Sequence, residues 1–281
     1  MSEPTSPPTA APAQPRAAAT VLIVRTAPTG LEVFMVQRHR RSGFLPNAWV
    51  FPGGRVDEGD RIHGNPRVAG RIALAGLSDS GASAYGVAAV RETFEEAGIW
   101  LGTGAPTDAD RDALNRGDST LAKVLEERDA TLHLERLRPW SWWITPLAEP
   151  KRFDTRFLIA VVDVRSGRHD DGETVDSRWV SPRVVLTDDQ RSFPLAPPTW
   201  WTLRELAAYA SAEAAFEAAI TPLVPILPVM QLEQDSVRLL LPGHPDHGAP
   251  AIDGLPDRLT YEQGWVGWKG DERLPSVPDI T

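Results

Sequence analysis

The stretch that decides the fold is AVRETFEEAGI, which runs from Ala89 to Ile99. Its pattern is that of a helix, and Glu95 and Glu96 follow Glu92 by three and four residues. At about 100° per residue, these carboxylates share one helix face. The opposite face carries apolar side chains, which are Val87, Val90, Phe94 and Ala97. Such a helix buries one side and gathers three like charges on the other.

This charge pattern has two interpretations. One is a solvated acidic face that ends at a cap, Gly98. The other is a carboxylate site for a divalent metal ion. Like charges at this spacing destabilise an exposed helix by a few tenths of a kcal/mol, and a hard cation such as Mg²⁺ or Mn²⁺ removes that repulsion through its oxygen ligands. The helix by itself leaves both interpretations open.

Composition limits the classes of function. The chain has 281 residues, 42% of them hydrophobic, which is enough for one large domain with additions. It has no apolar run long enough to span a membrane, and its net charge of -9 argues against general nucleic-acid binding. Cysteine is absent, which excludes disulfides, zinc thiolate sites and thiol catalysis. We therefore expect a cytoplasmic protein without membrane or nucleic-acid partners.

The order of the predicted elements indicates an α+β protein with a mixed sheet. Ser83 is the predicted N-cap of the glutamate helix, and a short helix is predicted within 66–76. The predicted strands occupy 20–26, 32–38, 49–54, 140–145, 156–164 and 177–180, and Ala-rich helices occupy 199–219.

Composition also predicts the domain boundaries. Residues 1–18 are rich in Pro, Ala, Ser and Thr and are expected to form a disordered leader. The main domain is expected over 19–245, with an insertion at 61–82. The remainder, 246–281, is rich in Pro and Gly and is expected to be irregular.

The glutamate helix and the turn before it resemble the signature motif of the Nudix hydrolase family, the Nudix box. The second half of the motif is RETFEEAGI (91–99), and GGRVDEGD (53–60) resembles the first half. Thr93 stands where the family usually has an apolar residue, and Asp60 stands where it has glutamate. Thirty residues separate Asp60 from Arg91, far more than is usual, so the chain carries an insertion inside the box.

An expanded box also occurs in the branch of the family that includes the peroxisomal coenzyme A diphosphatase. The segments similar to that branch are 43–57, 140–146, 151–157 and 241–245. The resemblance implies a Nudix-type α/β/α sandwich with a mixed central sheet and a helical C-terminal extension.

The activity implied is metal-dependent hydrolysis of a nucleoside diphosphate linked to another group X, with coenzyme A and acyl-coenzyme A as candidates. The resemblance assigns the metal, Mg²⁺ or Mn²⁺, to Glu92, Glu95 and Glu96. The backbone of Gly54 and the side chain of Glu173 are further candidate ligands.

Three basic residues near the motif are also candidates for a role. Arg91 is grouped with the catalytic glutamates and is expected to orient them by charge-assisted hydrogen bonds. Arg38 and Arg40 are candidates for contact with the substrate phosphates. The role of Asp60 is left open.

Other functions remain alternatives at this stage. They are a non-catalytic Nudix module that senses a nucleotide, a pyrophosphatase that sanitises the nucleotide pool, and an acidic helix with a purely structural role. A homodimer is expected only by analogy with the family.

Overall fold

The computed structural model describes residues 11–41, 45–163, 167–170, 172–187, 193–219, 222–233, 236–261 and 265–267. The helices are α1 (Asp79–Ala97), α2 (Asp108–Asn115), α3 (Leu121–Glu127), α4 (Pro182–Thr187), α5 (Pro197–Leu206) and α6 (Ala212–Ala218). The strands are β1 (Arg16–Ala27), β2 (Gly30–Arg38), β3 (Trp49–Val50), β4 (Gly53–Arg55), β5 (Val68–Ala69), β6 (Gly102–Thr103), β7 (Thr131–His133), β8 (Arg138–Ile144), β9 (Phe153–Val161), β10 (Thr174–Val180), β11 (Pro225–Ile226), β12 (Val229–Leu232), β13 (Val237–Leu240), β14 (Arg258–Tyr261) and β15 (Trp265–Gly267).

A mixed eight-stranded sheet forms the centre of the molecule. Its order is β10-β2-β1-β9-β8-β11, with β3 paired to β2 and β4 paired to β1. The central pair, β1 and β9, is parallel, whereas β1 and β2 are antiparallel. The predicted α+β class with a mixed sheet is confirmed.

The sheet is buried on both faces, as the VLIV run of β1 requires. Val21 and Ile23 pack into a core cluster with α1. Leu22 and Val24 point to the other face and pack into a cluster with α5 and α6. These two cores produce the α/β/α sandwich, and the glutamate helix lies on one outer layer.

The N-cap of helix α1 is Ser78, five residues before the predicted cap. The Ser78 Oγ accepts a hydrogen bond from the Gly81 N–H at 3.2 Å, and the Ser78 carbonyl accepts the first helical bond from Ala82. The prediction of Ser83 as the cap is wrong, because Ser83 lies inside the helix and is buried. Gly98 ends the helix in the left-handed region, with φ of 65°.

Residues 66–76 form no helix, so the short helix predicted there is also wrong. Gly70 and Gly76 adopt positive φ, which interrupts a helix, and β5 pairs with β7 instead. Ile72 is buried in the cluster beneath α1, and the Arg156 Nη1 donates to the Ala75 carbonyl at 2.9 Å. Through these contacts the insertion packs against α1 and β9.

Both predicted ends of the domain need correction. Strand β1 starts at Arg16, inside the predicted leader, because residues 16–24 pair with β9 across a large sequence separation. Residues 1–10 of the predicted leader lie outside the described part of the chain. In the predicted irregular tail, β14 pairs with β13 and buries Leu259. Within the described ranges, every helix is too short or too polar to span a bilayer.

Candidate active site

The glycine turn of β4 meets the C-terminal half of α1. The Gly53 N–H donates a hydrogen bond to the Glu96 Oε2 at 2.9 Å. A Cβ atom on Gly54 would lie 2.4 Å from the Glu92 Oε1, and one on Gly53 would lie 2.4 Å from the Ala19 carbonyl oxygen. Glycine is therefore needed at both positions, because any side chain there would displace Glu92 or the neighbouring strand β1.

Arg91 is the centre of the carboxylate cluster. Its Nε and Nη2 donate to the two Asp60 carboxylate oxygens at 2.8 and 2.9 Å. Its Nη1 donates to the Glu92 Oε1 at 2.9 Å and to the Glu95 Oε2 at 2.7 Å, and its Nη2 also donates to the Arg55 carbonyl. Arg91 therefore orients two glutamates, as expected. The bidentate pair with Asp60 bridges the two halves of the motif across the insertion.

The glutamates do not form a solvated face. Glu96 is only 6% exposed, and the Glu92 and Glu95 side chains are each 14% exposed. Burial raises the pKa of Glu92 to about 7; the Arg91 charge opposes this shift and the Glu95 charge adds to it. Burial and the charge of Glu92 raise the pKa of Glu96 well above its usual value. Such a buried cluster of like charges favours an added cation.

The glutamates line one end of a cavity of about 1410 Å³. Glu173 and Arg38 also line this cavity and lie close to Glu96: the charge of Glu173 raises the pKa of Glu96, and Arg38 lowers it. Arg40 is exposed and is not among the described residues that line the cavity. Of the two predicted phosphate-binding arginines, only Arg38 is therefore placed at the site.

The loop that carries Glu173 is organised by Asp170, which the sequence reasoning missed. The Asp170 carboxylate accepts hydrogen bonds from the Glu173 N–H at 3.0 Å and from the Thr174 N–H at 2.9 Å. The spacing of Asp170 ahead of Gly172 is a turn signal that was available in the sequence. The Glu173 carbonyl also accepts a bond from the His39 N–H at 3.0 Å, which joins this loop to the end of β2.

The insertion does not cover the cavity. Of the described residues that line it, none comes from 61–78. The polar end is built instead by the turn of β4, the last turns of α1, the β2 end at Arg38 and the Glu173 loop.

Comparison with known proteins decides the family. A Nudix hydrolase from Alicyclobacillus acidocaldarius, solved by crystallography, is 31% identical to this chain and superposes with a TM-score of 0.66. The match covers 74% of this chain and 99% of the bacterial one. The chain belongs to the Nudix hydrolase family. It is therefore an enzyme that hydrolyses phosphoanhydrides.

Further matches show that this Nudix hydrolase resembles one branch of the family. The family model of the NUDT19 Nudix domain matches residues 79–206. A Xenopus laevis protein named acyl-coenzyme A diphosphatase NUDT19 is 26% identical, over 89% of this chain and 73% of the frog protein. The Homo sapiens protein of the same name is 28% identical, over 76% of this chain and 72% of the human protein.

The donor atoms of the Nudix site suit the divalent cations that the family uses. Carboxylate oxygens are the preferred ligands of Mg²⁺ and Mn²⁺, and the raised pKa of Glu92 and of Glu96 marks negative charge that lacks a full counterion. Among the described residues, no three acidic or histidine side chains already converge as a complete metal site. The Arg91 Nη1 lies between the carboxylates of Glu92 and Glu95 instead.

Proposed function

We propose that this Nudix hydrolase cleaves the diphosphate of coenzyme A or acyl-coenzyme A with Mg²⁺ or Mn²⁺. The observation that carries the proposal is the junction of β4 and α1. There Gly53 bonds to Glu96, and Gly54 leaves room for Glu92. This junction brings both halves of the divided motif to one end of a large cavity.

The proposed roles follow from the contacts. Glu92 and Glu96 are the main metal ligands, because they are buried and carry charge that is incompletely balanced. Glu95 is a third ligand, and the carbonyl of Gly54 and the carboxylate of Glu173 complete the set. A divalent cation held by these residues would supply positive charge to the phosphate oxygens and would orient the attacking water.

The chain's own charges prepare the site for this reaction. Arg91 holds Glu92 and Glu95 in place and acts as a positioning residue. Arg38, at the cavity wall near Glu96, contacts a phosphate oxygen of the substrate. Water adds to one phosphorus atom of the diphosphate and the bridging P–O bond breaks. With coenzyme A, the products are 3′-phospho-AMP and phosphopantetheine, and the water supplies the added oxygen and protons.

Coenzyme A fits the site in charge and in size. The frog and human relatives are named acyl-coenzyme A diphosphatases. Arg16 and Lys151 add positive charge to the cavity wall, at neighbouring positions on β1 and just before β9. The 3′-phosphate of coenzyme A is an additional anion for such groups to bind. The cavity also exceeds the usual volume of a small-ligand pocket, which is about 300–1,000 Å³.

The test is turnover of a substrate panel by the wild type and by Glu96→Gln. The panel contains coenzyme A, acyl-coenzyme A, ADP-ribose, NADH and nucleotide sugars, each with Mg²⁺, with Mn²⁺ and with EDTA. We expect metal-dependent release of 3′-phospho-AMP from the coenzyme A substrates and a loss of about 10²-fold or more in Glu96→Gln.

Glu127→Gln, on the exposed side of α3, is the matched control and should keep full activity. Turnover of another diphosphate but of neither coenzyme A nor acyl-coenzyme A would overturn the substrate assignment. Equal rates in Glu96→Gln and the wild type would overturn the site assignment.

The proposal places the enzyme in the cytoplasm, where the absence of cysteine is compatible with reducing conditions. It acts on a small molecule and not on nucleic acid. The homodimer expected by analogy with the family stays a prediction that light scattering would check.

A further inference from the structure

The lining of the cavity contains two chemically different sets of residues. One set is polar and includes the glutamates of α1, Arg38 and Glu173. The other set is apolar and includes residues of the central sheet and of the hairpin of β12 and β13. The diphosphate chemistry accounts for the polar set only.

The hairpin contributes an ordered apolar face to this second set of lining residues. Met230 of β12 pairs with Leu239 of β13, and Leu232 pairs with Val237. Residues that pair across antiparallel strands lie on the same face, and all four of these side chains line the cavity. We call them the hairpin wall. Leu232 is 74% exposed, so its side chain is accessible to a ligand in the cavity.

The central sheet contributes further apolar side chains to the same cavity. Trp143 of β8 and Phe153 and Phe157 of β9 line it, and Trp143 and Phe157 share a core cluster with Leu239 of the hairpin wall. Pro197 and Pro198, at the start of α5, line the cavity as well. The hairpin wall therefore lies beside apolar residues of the sheet, while the Lys151 Nζ lies over the Phe153 ring.

Such walls favour one part of the proposed substrate. Phosphate and ribose gain no hydrogen bonds from aliphatic side chains, whereas each methylene group that leaves water for an apolar chamber adds to the affinity. The adenine ring stacks on aromatic faces and does not need an aliphatic hairpin opposite them. A flexible hydrocarbon chain fits aliphatic and aromatic walls equally well.

We propose that the hairpin wall binds the fatty acyl chain of an acyl-coenzyme A substrate and sets the enzyme's preference for chain length. This inference rests on the proposed function, because it takes the acyl group to be attached to the substrate cleaved at the glutamates. The wall lies at 230–239, beyond residues 79–206 that match the Nudix family model. Specificity for the acyl chain is therefore provided by the C-terminal part of the chain.

The test compares coenzyme A, hexanoyl-coenzyme A and dodecanoyl-coenzyme A as substrates. The variant Leu232→Asn/Val237→Asn makes the wall polar at an exposed and at a half-buried position and leaves the buried Leu239 in place, so the fold should survive. We expect the wild type to prefer dodecanoyl-coenzyme A to coenzyme A in kcat/KM. In the variant, the ratio of kcat/KM for dodecanoyl-coenzyme A to that for coenzyme A should fall about 10-fold. The fall should come from a higher KM for dodecanoyl-coenzyme A, with coenzyme A turnover unchanged.

Val229→Asn is the matched control. Val229 is on the same strand and is 41% exposed, but it is not among the residues that line the cavity. It should leave the ratio of the two kcat/KM values unchanged. A wild type without chain-length preference, or a wall variant with an unchanged ratio, would overturn the proposal.

A binding measurement separates this inference from the proposed function. Calorimetric titration of the same three ligands in EDTA needs no turnover. If neither coenzyme A nor its two acyl esters are hydrolysed, the proposed function fails, but an affinity that rises with chain length and falls in the wall variant still supports the hairpin wall. Equal affinities for the three ligands would overturn it, whatever the activity.

Discussion

At the scale of single residues, Gly54 is the position at which the smallest change should have the largest effect. The missing side chain leaves space for the Glu92 carboxylate, since a Cβ atom would lie 2.4 Å from its Oε1. We expect Gly54→Ala to move Glu92 and to lower kcat about 10²-fold, because displacements of this size in a reacting site cost that much. Steady-state kinetics with saturating Mg²⁺ would measure the effect.

Gly59→Ala is the control for this substitution. A Cβ atom on Gly59 meets no atom within 4 Å, so its kcat should match the wild type. Wild-type kcat in Gly54→Ala would show that the position of Glu92 does not matter for the reaction.

Asp60 gives a second prediction at this scale. Its side chain is 1% exposed and holds two nitrogen atoms of Arg91. Asp60→Asn leaves the Arg91 charge without its bidentate carboxylate partner, and removal of one member of a buried ion pair typically costs about 3–5 kcal/mol. We expect a loss of about 3 kcal/mol in the free energy of unfolding, measured by urea titration.

Glu58→Gln lies in the same short turn and tests the specificity of this effect. The Glu58 side chain is 90% exposed, so the free energy of unfolding should change by less than about 0.5 kcal/mol. Similar losses in both variants would mean that the turn, and not the ion pair, carries the stability.

At the scale of elements, the glycine in the first turn of α1 and the glycine that caps its C-terminus have opposite requirements. Gly98 ends the helix with φ of 65°, and a Cβ atom there would lie 3.2 Å from the Arg111 Nη1. Gly81 is inside the first turn with ordinary contacts only. We expect Gly98→Ala to lower the free energy of unfolding by about 1 kcal/mol and Gly81→Ala to raise it by about 0.5–1 kcal/mol.

Thermal or urea unfolding of the two variants measures the change in the free energy of unfolding for each, and the two changes should have opposite signs. Effects of the same sign would contradict the assignment of Gly98 as the helix cap. Because the glutamates occupy the last turns before this cap, Gly98→Ala should also weaken metal binding, whereas Gly81→Ala should not.

The elements show where sequence patterns were sufficient and where they failed. The apolar strands and the amphipathic pattern of α1 were predictable, because each is a local period in the sequence. The cap at Ser78 was missed because Ser78, Ser80 and Ser83 are all acceptable caps, and only the backbone conformation selects one. The insertion was misread because its apolar residues, such as Ile72, pack on distant parts of the chain.

At the scale of the whole molecule, the raised pKa values make stability depend on both pH and metal. Glu92 has a pKa of about 7 in the folded chain, compared with its usual 4.5. Between these two values the folded state holds more protons than the unfolded state, so stability falls as pH rises through this window. Glu96, whose pKa is also raised, acts in the same direction.

A bound cation replaces the protons that are lost. We therefore expect Mg²⁺ to raise Tm more at about pH 8 than at about pH 6, where protons compete for the same carboxylates. Differential scanning fluorimetry with Mg²⁺ and with EDTA would measure this difference. In Glu96→Gln the gain should shrink at both pH values. A gain in Tm that is larger at the lower pH, or equal in the variant, would contradict the placement of the metal at these glutamates.

The sequence alone determined the chemistry that the chain brings to its site. The order and period of residues 49–60 and 91–99 are local properties, so they indicated the glycine turn, the glutamate helix and the resemblance to Nudix hydrolases without a structure.

The tertiary structure decided which distant groups meet. Asp60 reaches Arg91 across thirty residues, Glu173 approaches Glu96, and Arg38 lines the cavity while Arg40 does not. The hairpin wall likewise faces β8 and β9 only because the C-terminal strands fold back over the central sheet. A local sequence pattern cannot predict these contacts, because they depend on how buried surfaces far apart in the sequence pack against one another.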